Sequence, residues 1–232
     1  MNGITQWWDG IVATFVKCFI REDRYMLLLD GIGITIKISL LAVLIGIAIG
    51  LVIAFCNLSK SKILNFIGKI YTDVIRGTPS VTQLMIIYFV VFATVDWEKW
   101  VIAAIAFGVN SGAYVSEIVR AGILSIDKGQ TEAGRSLGLN ATQTMVYIVI
   151  PQAVKNIFPA LCNEFIVLIK ETAIVGYIGL ADIQKAGDFI KSATYEAFMP
   201  LIATAIIYFV LIKILTLALA RVELALRKSE GR

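Results

Sequence analysis

Long stretches without charge set the pattern of this chain. From Ile38 to Cys56 no residue is charged, and with its approach from Ile32 the run exceeds the roughly 20 largely apolar residues that a bilayer requires of a helix. Further uncharged runs cover Thr78 to Val95, Val101 to Ser116, and Ala197 to Ile212 with another apolar turn after Lys213. Between the last two, Ile157 to Leu180 is apolar overall but contains Glu164, Lys170 and Glu171. The pattern predicts five transmembrane helices. The first run begins too late and is too long for a cleaved signal peptide, so it is expected to be retained.

The N-terminal stretch carries a different period. Ile4, Trp7, Ile11, Phe15 and Phe19 recur on one helical stripe, and Trp favours the headgroup level. This predicts an amphipathic helix lying in the membrane interface, with its linker, over residues 1–29, the alternative being a sixth, poor span that Asp9 and Lys17 disfavour. A transmembrane domain over 30–222 and a C-terminal tail over 223–232 complete the expected organisation.

An odd number of spans puts the termini on opposite sides. With the N terminus outside, the inner loops hold most of the Lys and Arg, from Lys60, Lys62 and Lys69 through Lys128, Arg135 and Lys155 to Arg227 and Lys228. The positive-inside rule therefore predicts the N terminus outside and the C terminus in the cytoplasm.

The segment between the third and fourth spans, DKGQTEAGRSLGLNATQTMVYIVIP from Asp127, has local signals of its own. Gly138 is placed to end a short helix in the left-handed conformation that glycine tolerates. Asn140 can cap a second helix with Gln143 as its capping-box partner, and Pro151 is expected to mark a break. A compact two-helix corner at the membrane surface follows.

Composition narrows the function. The chain is 58% hydrophobic and 16% charged, with 21 Lys and Arg against 17 Asp and Glu for a net charge of +4. That excess is small and dispersed, which argues against a nucleic-acid surface. The absence of His removes the commonest general base and metal ligand. Cys18, Cys56 and Cys162 are odd in number, distant and set in apolar runs, so they read as small hydrophobes.

The corner resembles the EAA loop of the membrane-spanning subunits of bacterial ABC importers, whose pattern is Glu-Ala-Ala, three residues, Gly, nine residues, Ile-x-Leu-Pro. Glu132, Ala133, Gly138, Ile148 and Pro151 match at those spacings, while Gly134 replaces the second Ala and Ile150 the Leu. Arg76-Gly77-Thr78-Pro79, GAYVSEIVRAGI from Gly112 and KETAIVGYIG from Lys170 look like the polar amino-acid permeases of that group. Together the likeness covers roughly residues 30–222. It implies an all-α, five-span permease subunit without catalytic residues, in a bacterial inner membrane. The short helix would be a coupling helix seated on a separate cytoplasmic ATPase, with Glu132 and Arg135 as polar contacts and Ala133, Gly134 and Gly138 allowing close approach. A second permease subunit and an external amino-acid-binding protein would complete the assembly. The chain contains no G-x-x-x-x-G-K-[ST] phosphate cradle, so ATP and Mg belong to the partner, and no cofactor is expected here.

Charges inside a bilayer cost about 2.5 to 3.5 kcal/mol each on insertion scales, and they mark partners or water-filled paths. Glu164, with Asn163 beside it, is a candidate site for the α-ammonium or the side-chain cation of an amino acid, or else a structural acid. Asn110, Ser111 and Tyr114 lie within about one turn and either line a polar pathway facing Glu164 or bond across a helix interface. Thr82 and Gln83 are further pathway candidates. Gly46 with Gly50 and Gly108 with Gly112 read as close-packing steps, and Glu117 with Arg120 as a local ion pair. The competing class is a secondary transporter or channel in which Glu164 is the proton or cation site.

Overall fold

The computed structural model describes the backbone of residues 3–228 and the side chains of residues 6–225; among them the fold is helical throughout, without a strand. Four helices are long and apolar enough to cross a membrane: α2 (Tyr25–Leu58), α5 (Lys99–Leu124), a continuous helix over Ala141–Ile178, and α10 (Phe198–Lys228). The span expected over Thr78–Val95 is instead the second arm of a bent pair: α3 (Lys62–Arg76) precedes it, and the arm Ser80–Val91, which opens as α4 (Ser80–Ile86), departs from α3 by 105°. Counted as one span, the pair brings the total to five. The bend follows from the sequence, because Pro79 pushes the preceding residue out of the helical region. Beyond Ile86 the chain continues as a π turn, Ile87–Val91.

The centre of the bundle is the contact of α2 with α5. Gly46 and Gly50 on α2 meet Gly108 and Gly112 on α5, each helix presenting small residues to the other. A Cβ on Gly46 would lie 3.0 Å from the Ser111 side chain, and one on Gly108 only 2.6 Å from Ile45. Lipid tails are as apolar as leucine, so close packing rather than burial from water holds this pair together. Around it Ile38, Ala42, Leu84, Ala103, Phe107 and Leu168 form the largest buried cluster, which unites α2, α4, α5 and the helix over Ala141–Ile178.

The fourth span begins earlier than its apolar run. From Asn140 the chain forms α7 (Ala141–Thr144), a π turn (Met145–Val149), α8 (Ile150–Glu171) and a 3-10 segment (Thr172–Ile178) without interruption, so Pro151 does not break it. The π turn closes with the Ile150 N–H on the Met145 carbonyl, so the ladder has already slipped by one residue when the proline arrives without a donor. Pro151 then sits in the first turn of α8, where a missing N–H is tolerated.

The helix α9 (Ile183–Thr194) is capped by Asp182, whose carboxylate accepts from the Gln184 and Lys185 amides at 3.2 and 2.9 Å and from the Tyr208 hydroxyl at 2.8 Å. Burial pushes the Asp182 carboxyl above its usual range, and these donors oppose the shift.

At the N terminus α1 (Gly3–Phe15) leads through a π turn to Ile20 and a tight reversal in which Glu22 and Asp23 have φ of 55° and 50°. Arg24 braces the reversal by donating to the Lys17 carbonyl at 2.8 Å and to Glu22 at 2.7 Å. Trp7 and Phe15 are exposed as the stripe requires and Ile11 is half-buried, whereas Phe19 turns inward with Cys18 against Leu28, Ala186 and Ile190. The Ile4 side chain and residues 229–232 lie outside the described residues. The helices also cross the expected domain limits, since α2 starts at Tyr25 and α10 runs to Lys228.

Candidate functional site

Glu164 lies inside the bundle at 8% exposure and receives a 2.7 Å hydrogen bond from the Ser111 hydroxyl on α5. Ser111 is itself fully buried against Gly46, so the acid stands where α2, α5 and α8 meet. Among the described residues no Lys or Arg pairs with it. A carboxylate that keeps one neutral donor and no counter-ion in such a place has capacity for a further cation.

Asn110, one residue earlier on α5, points elsewhere. Its amide donates to Gln83 Oε1 at 2.9 Å, while Gln83 Nε2 donates to the Ile75 carbonyl at 2.7 Å, the Thr78 carbonyl at 3.1 Å and Thr78 Oγ1 at 2.6 Å. These carbonyls flank the bend between α3 and α4. Irregular backbone at membrane depth needs its polar groups satisfied from within the protein, and Gln83 supplies that. The Tyr71 hydroxyl adds a 2.5 Å bond to the Val109 carbonyl, fastening α3 to the same part of α5.

The bend also carries Arg76, whose guanidinium lies 5.5 Å from the centre of the Tyr114 ring. One turn beyond, Arg120 holds Glu117 through three contacts of 2.8, 3.2 and 3.3 Å, the i,i+3 pair expected. Asn163 is exposed in a groove against α10 lined by Cys162, Thr216 and Glu223, on a different face from Glu164, and Thr82 is exposed too. The seven candidates thus divide into Ser111 with Glu164, Asn110 with Gln83, Tyr114 under Arg76, and two outward-facing residues.

The corner forms as its caps require. In α6 (Lys128–Ser136) the Asp127 carboxylate accepts from the Gly129 amide. Gly138 has φ of 84°, with its amide on the Arg135 carbonyl and that of Leu139 on the Gly134 carbonyl, a complete Schellman closure. Asn140 and Gln143 then exchange bonds of 2.9 Å as a capping box. Glu132, Ala133, Arg135 and Gly138 are exposed. Gly134 faces inward instead: a Cβ there would lie 2.8 Å from Ile148 and 2.9 Å from Thr144, so its smallness serves the join between α6 and α7. Nor does any atom approach within 4 Å of a Cβ built on Gly138.

Two features escaped the sequence reading. Leu137, at 81% exposure, is an apolar tip on the corner, and only its place between a helix end and a Gly C-cap signals it. Arg76 is the other, since its neighbour Tyr114 is distant in sequence. Among the described residues no group of His, Cys, Asp or Glu is arranged to hold a metal ion.

Residues 46–228 match the family of binding-protein-dependent transport system inner membrane components. The chain is 43% identical to an arginine transport system permease protein of Bacillus subtilis over 205 residues, which is 88% of this chain and 94% of that protein. It is 40% identical to a putative glutamine transport system permease protein of Rickettsia bellii over 197 residues, covering 84% and 90%. A crystal structure of an amino acid ABC transporter with histidines superimposes with a TM-score of 0.81 at 43% identity, covering 88% of this chain and 97% of that one. The inward-facing MetNI methionine ABC transporter shares the fold, with a TM-score of 0.74 at 20% identity.

Proposed function

Because the chain belongs to the family of binding-protein-dependent transport system inner membrane components, as a permease subunit of an ABC importer, we propose that it forms the membrane pathway for a polar amino acid and receives a positively charged group of that substrate at Glu164. The family implies an ATPase as a separate subunit and a binding protein as partners; the transporting unit proposed is a pair of permease subunits with two ATPases, ATP and Mg residing on the latter. The observation that carries the substrate reading is the buried Glu164 carboxylate with Ser111 as donor and no counter-ion among the described residues. A cation about 4 Å from it gains roughly 4 kcal/mol at an effective dielectric near 20. Relatives named for glutamine and arginine transport support an amino acid as the cargo.

Coupling runs through the corner. Glu132, Ala133, Arg135 and Leu137 are the exposed residues that meet the ATPase, while Gly134 and Gly138 shape the corner itself. Closure of the ATPases on nucleotide moves the corners, and the bundle alternates between outward and inward openings. Pro159, Cys162 and Asn163 line one groove with Thr216, Leu219 and Glu223, which sets the C-terminal half of α10 beside the middle of α8. The bond from Lys17 to Glu196 tethers the N-terminal segment near the opposite end of α10. This arrangement supports an external N terminus and a cytoplasmic C terminus.

The test is uptake of labelled arginine and glutamine into proteoliposomes holding the full transporter, with and without ATP, in wild type and Glu164→Gln. Uptake should require ATP, and the amide should reduce it at least tenfold with complex yield retained. ATP-independent uptake would instead favour a secondary transporter or channel with Glu164 as its proton or cation site. Unchanged ATP-driven uptake in the variant would make Glu164 structural.

A further inference from the structure

The half of the bundle that carries the corner has a groove of about 240 Å³ on its side, lined only by Ile, Leu, Val, Ala and Phe. None of the residues of the polar layer reaches it. Val115, Val119 and Ile123 recur at every fourth position of α5 and form its floor with Ala153 and Ile157 of α8. Close seams fix that floor: a Cβ on Gly50 would lie 2.5 Å from Val115, and one on Gly122 would collide with Ile157. Both α2 and α8 thus grip α5, and their larger side chains stand as walls on either side. Leu51 and Phe55 on α2 are 41% and 55% exposed and Val154 on α8 is 47% exposed, so the groove opens sideways.

Its length matches one leaflet. From Ile47 to Phe55 and from Ile150 to Leu161 the walls run about 12 and 16 Å at 1.5 Å per residue, against about 15 Å for half of the hydrocarbon core. At the corner end the polarity changes. The helix α2 stops at Leu58, three residues beyond Phe55, and Lys60 and Lys62 follow, both exposed and without an ion pair among the described residues. A slot one leaflet long, apolar throughout and followed by two cations, has the polarity profile of an anionic phospholipid.

We propose that the groove is a binding site for one acyl chain of an anionic phospholipid, whose phosphate is met by Lys60 and Lys62. Water leaves such a cavity dry, and apolar walls of this kind enclosing about 150 Å³ take up benzene instead. Left empty, the floor would lack the dispersion contacts that hold helices together in a membrane, where burial from water contributes little. The bound chain supplies them, and it packs α2, α5 and α8 together on the side that carries the corner. That the leaflet is the inner one rests on the orientation given above; a reversed topology would move the site to the outer leaflet without emptying it.

The experiment is native mass spectrometry of the purified permease–ATPase complex, released from nanodiscs holding phosphatidylglycerol and phosphatidylcholine in equal amounts. Wild type should retain at least one phosphatidylglycerol per permease chain. Val154→Trp, at the rim, should lower that retention at least tenfold, and Leu51→Trp on the opposite wall should do the same, which covers the case in which one variant assembles poorly. Val52→Trp, at the same depth but outside the groove, should leave retention unchanged. Lys60→Gln and Lys62→Gln should each cut the preference for phosphatidylglycerol about fivefold while a lipid is still retained. Absence of retained lipid in wild type, or equal retention in the rim variants and in Val52→Trp, would overturn the site. So would cross-linking of cysteines placed at Leu51 and Val154 to a second permease chain or to the ATPase, since protein would then cover the groove. Retention by wild type without preference between the two headgroups would overturn the assignment of Lys60 and Lys62.

Discussion

Replacing Gln83 by Leu asks whether this residue serves the pathway or the backbone. The side chain is 8% exposed and Asn110 is 4% exposed, so water does not substitute for what is lost. Leucine has similar length and leaves no large void, but it strips the Ile75 carbonyl, the Thr78 carbonyl and the Asn110 amide of their partner. The Thr78 hydroxyl loses little because it still donates to the Val74 carbonyl at 2.9 Å. With about 1 kcal/mol for the buried Asn110 amide and about 0.5 kcal/mol for each of the two half-buried carbonyls, the loss is about 2 kcal/mol. An ordinary interhelical hydrogen bond in a membrane averages only about 0.6 kcal/mol, so the two readings separate. The assay is reversible unfolding of the purified chain by SDS titration in mixed micelles. The double variant Gln83→Leu with Asn110→Leu should recover about 1 kcal/mol, because it removes the orphaned amide together with its partner. A loss of 0.6 kcal/mol or less for Gln83→Leu would refute the claim that this amide sustains the bend.

Two further outcomes test the corner and the topology. Gly138→Trp should leave the spans inserted but lower substrate-stimulated ATPase activity and uptake together, because a side chain at φ of 84° is strained by about 1 to 2 kcal/mol and opens the Schellman closure; unaltered values in both assays would remove the corner from coupling. In cells, cysteines substituted near Glu98 and Asp188 should react with an impermeant maleimide, whereas those near Ser61 and Gln130 should not; the reverse pattern would invert the orientation.

The parts legible in the sequence were those with a local cause. The left-handed Gly138, the Asn140 to Gln143 box and the glycine steps of α2 and α5 each depend on a few neighbouring residues, and all formed. Charge-free runs located α2, α5 and α10 for the same reason, since a lipid-facing helix has little freedom to be polar. The helices α3 and α9 escaped because Lys62, Lys69, Asp73, Lys185, Asp188 and Lys191 interrupt their apolar positions. Such helices satisfy one face with protein and another with water or headgroups, which a search for uncharged runs cannot see. The polar layer was half legible. Neighbours in sequence were grouped, but consecutive helical residues diverge by about 100°, so Asn163 left Glu164 and Asn110 left Ser111. The partners that replaced them, such as Arg76 on Tyr114, are set by the bend.

The uninterrupted course of the chain from the capping box into the fourth span has a mechanical meaning. Between Ala141 and Glu164 there are 23 rises along one continuous helix, or about 35 Å at 1.5 Å per residue, with Pro151 taken into the first turn of α8 and Pro159 carried inside it without a break. The corner and the intramembrane acid are two stations on a single lever. A tilt of about 5° pivoting at either station carries the other through roughly 3 Å, the length of a hydrogen bond. That is enough to part Glu164 from Ser111 or to seat it there, and no relay of intervening side chains is needed.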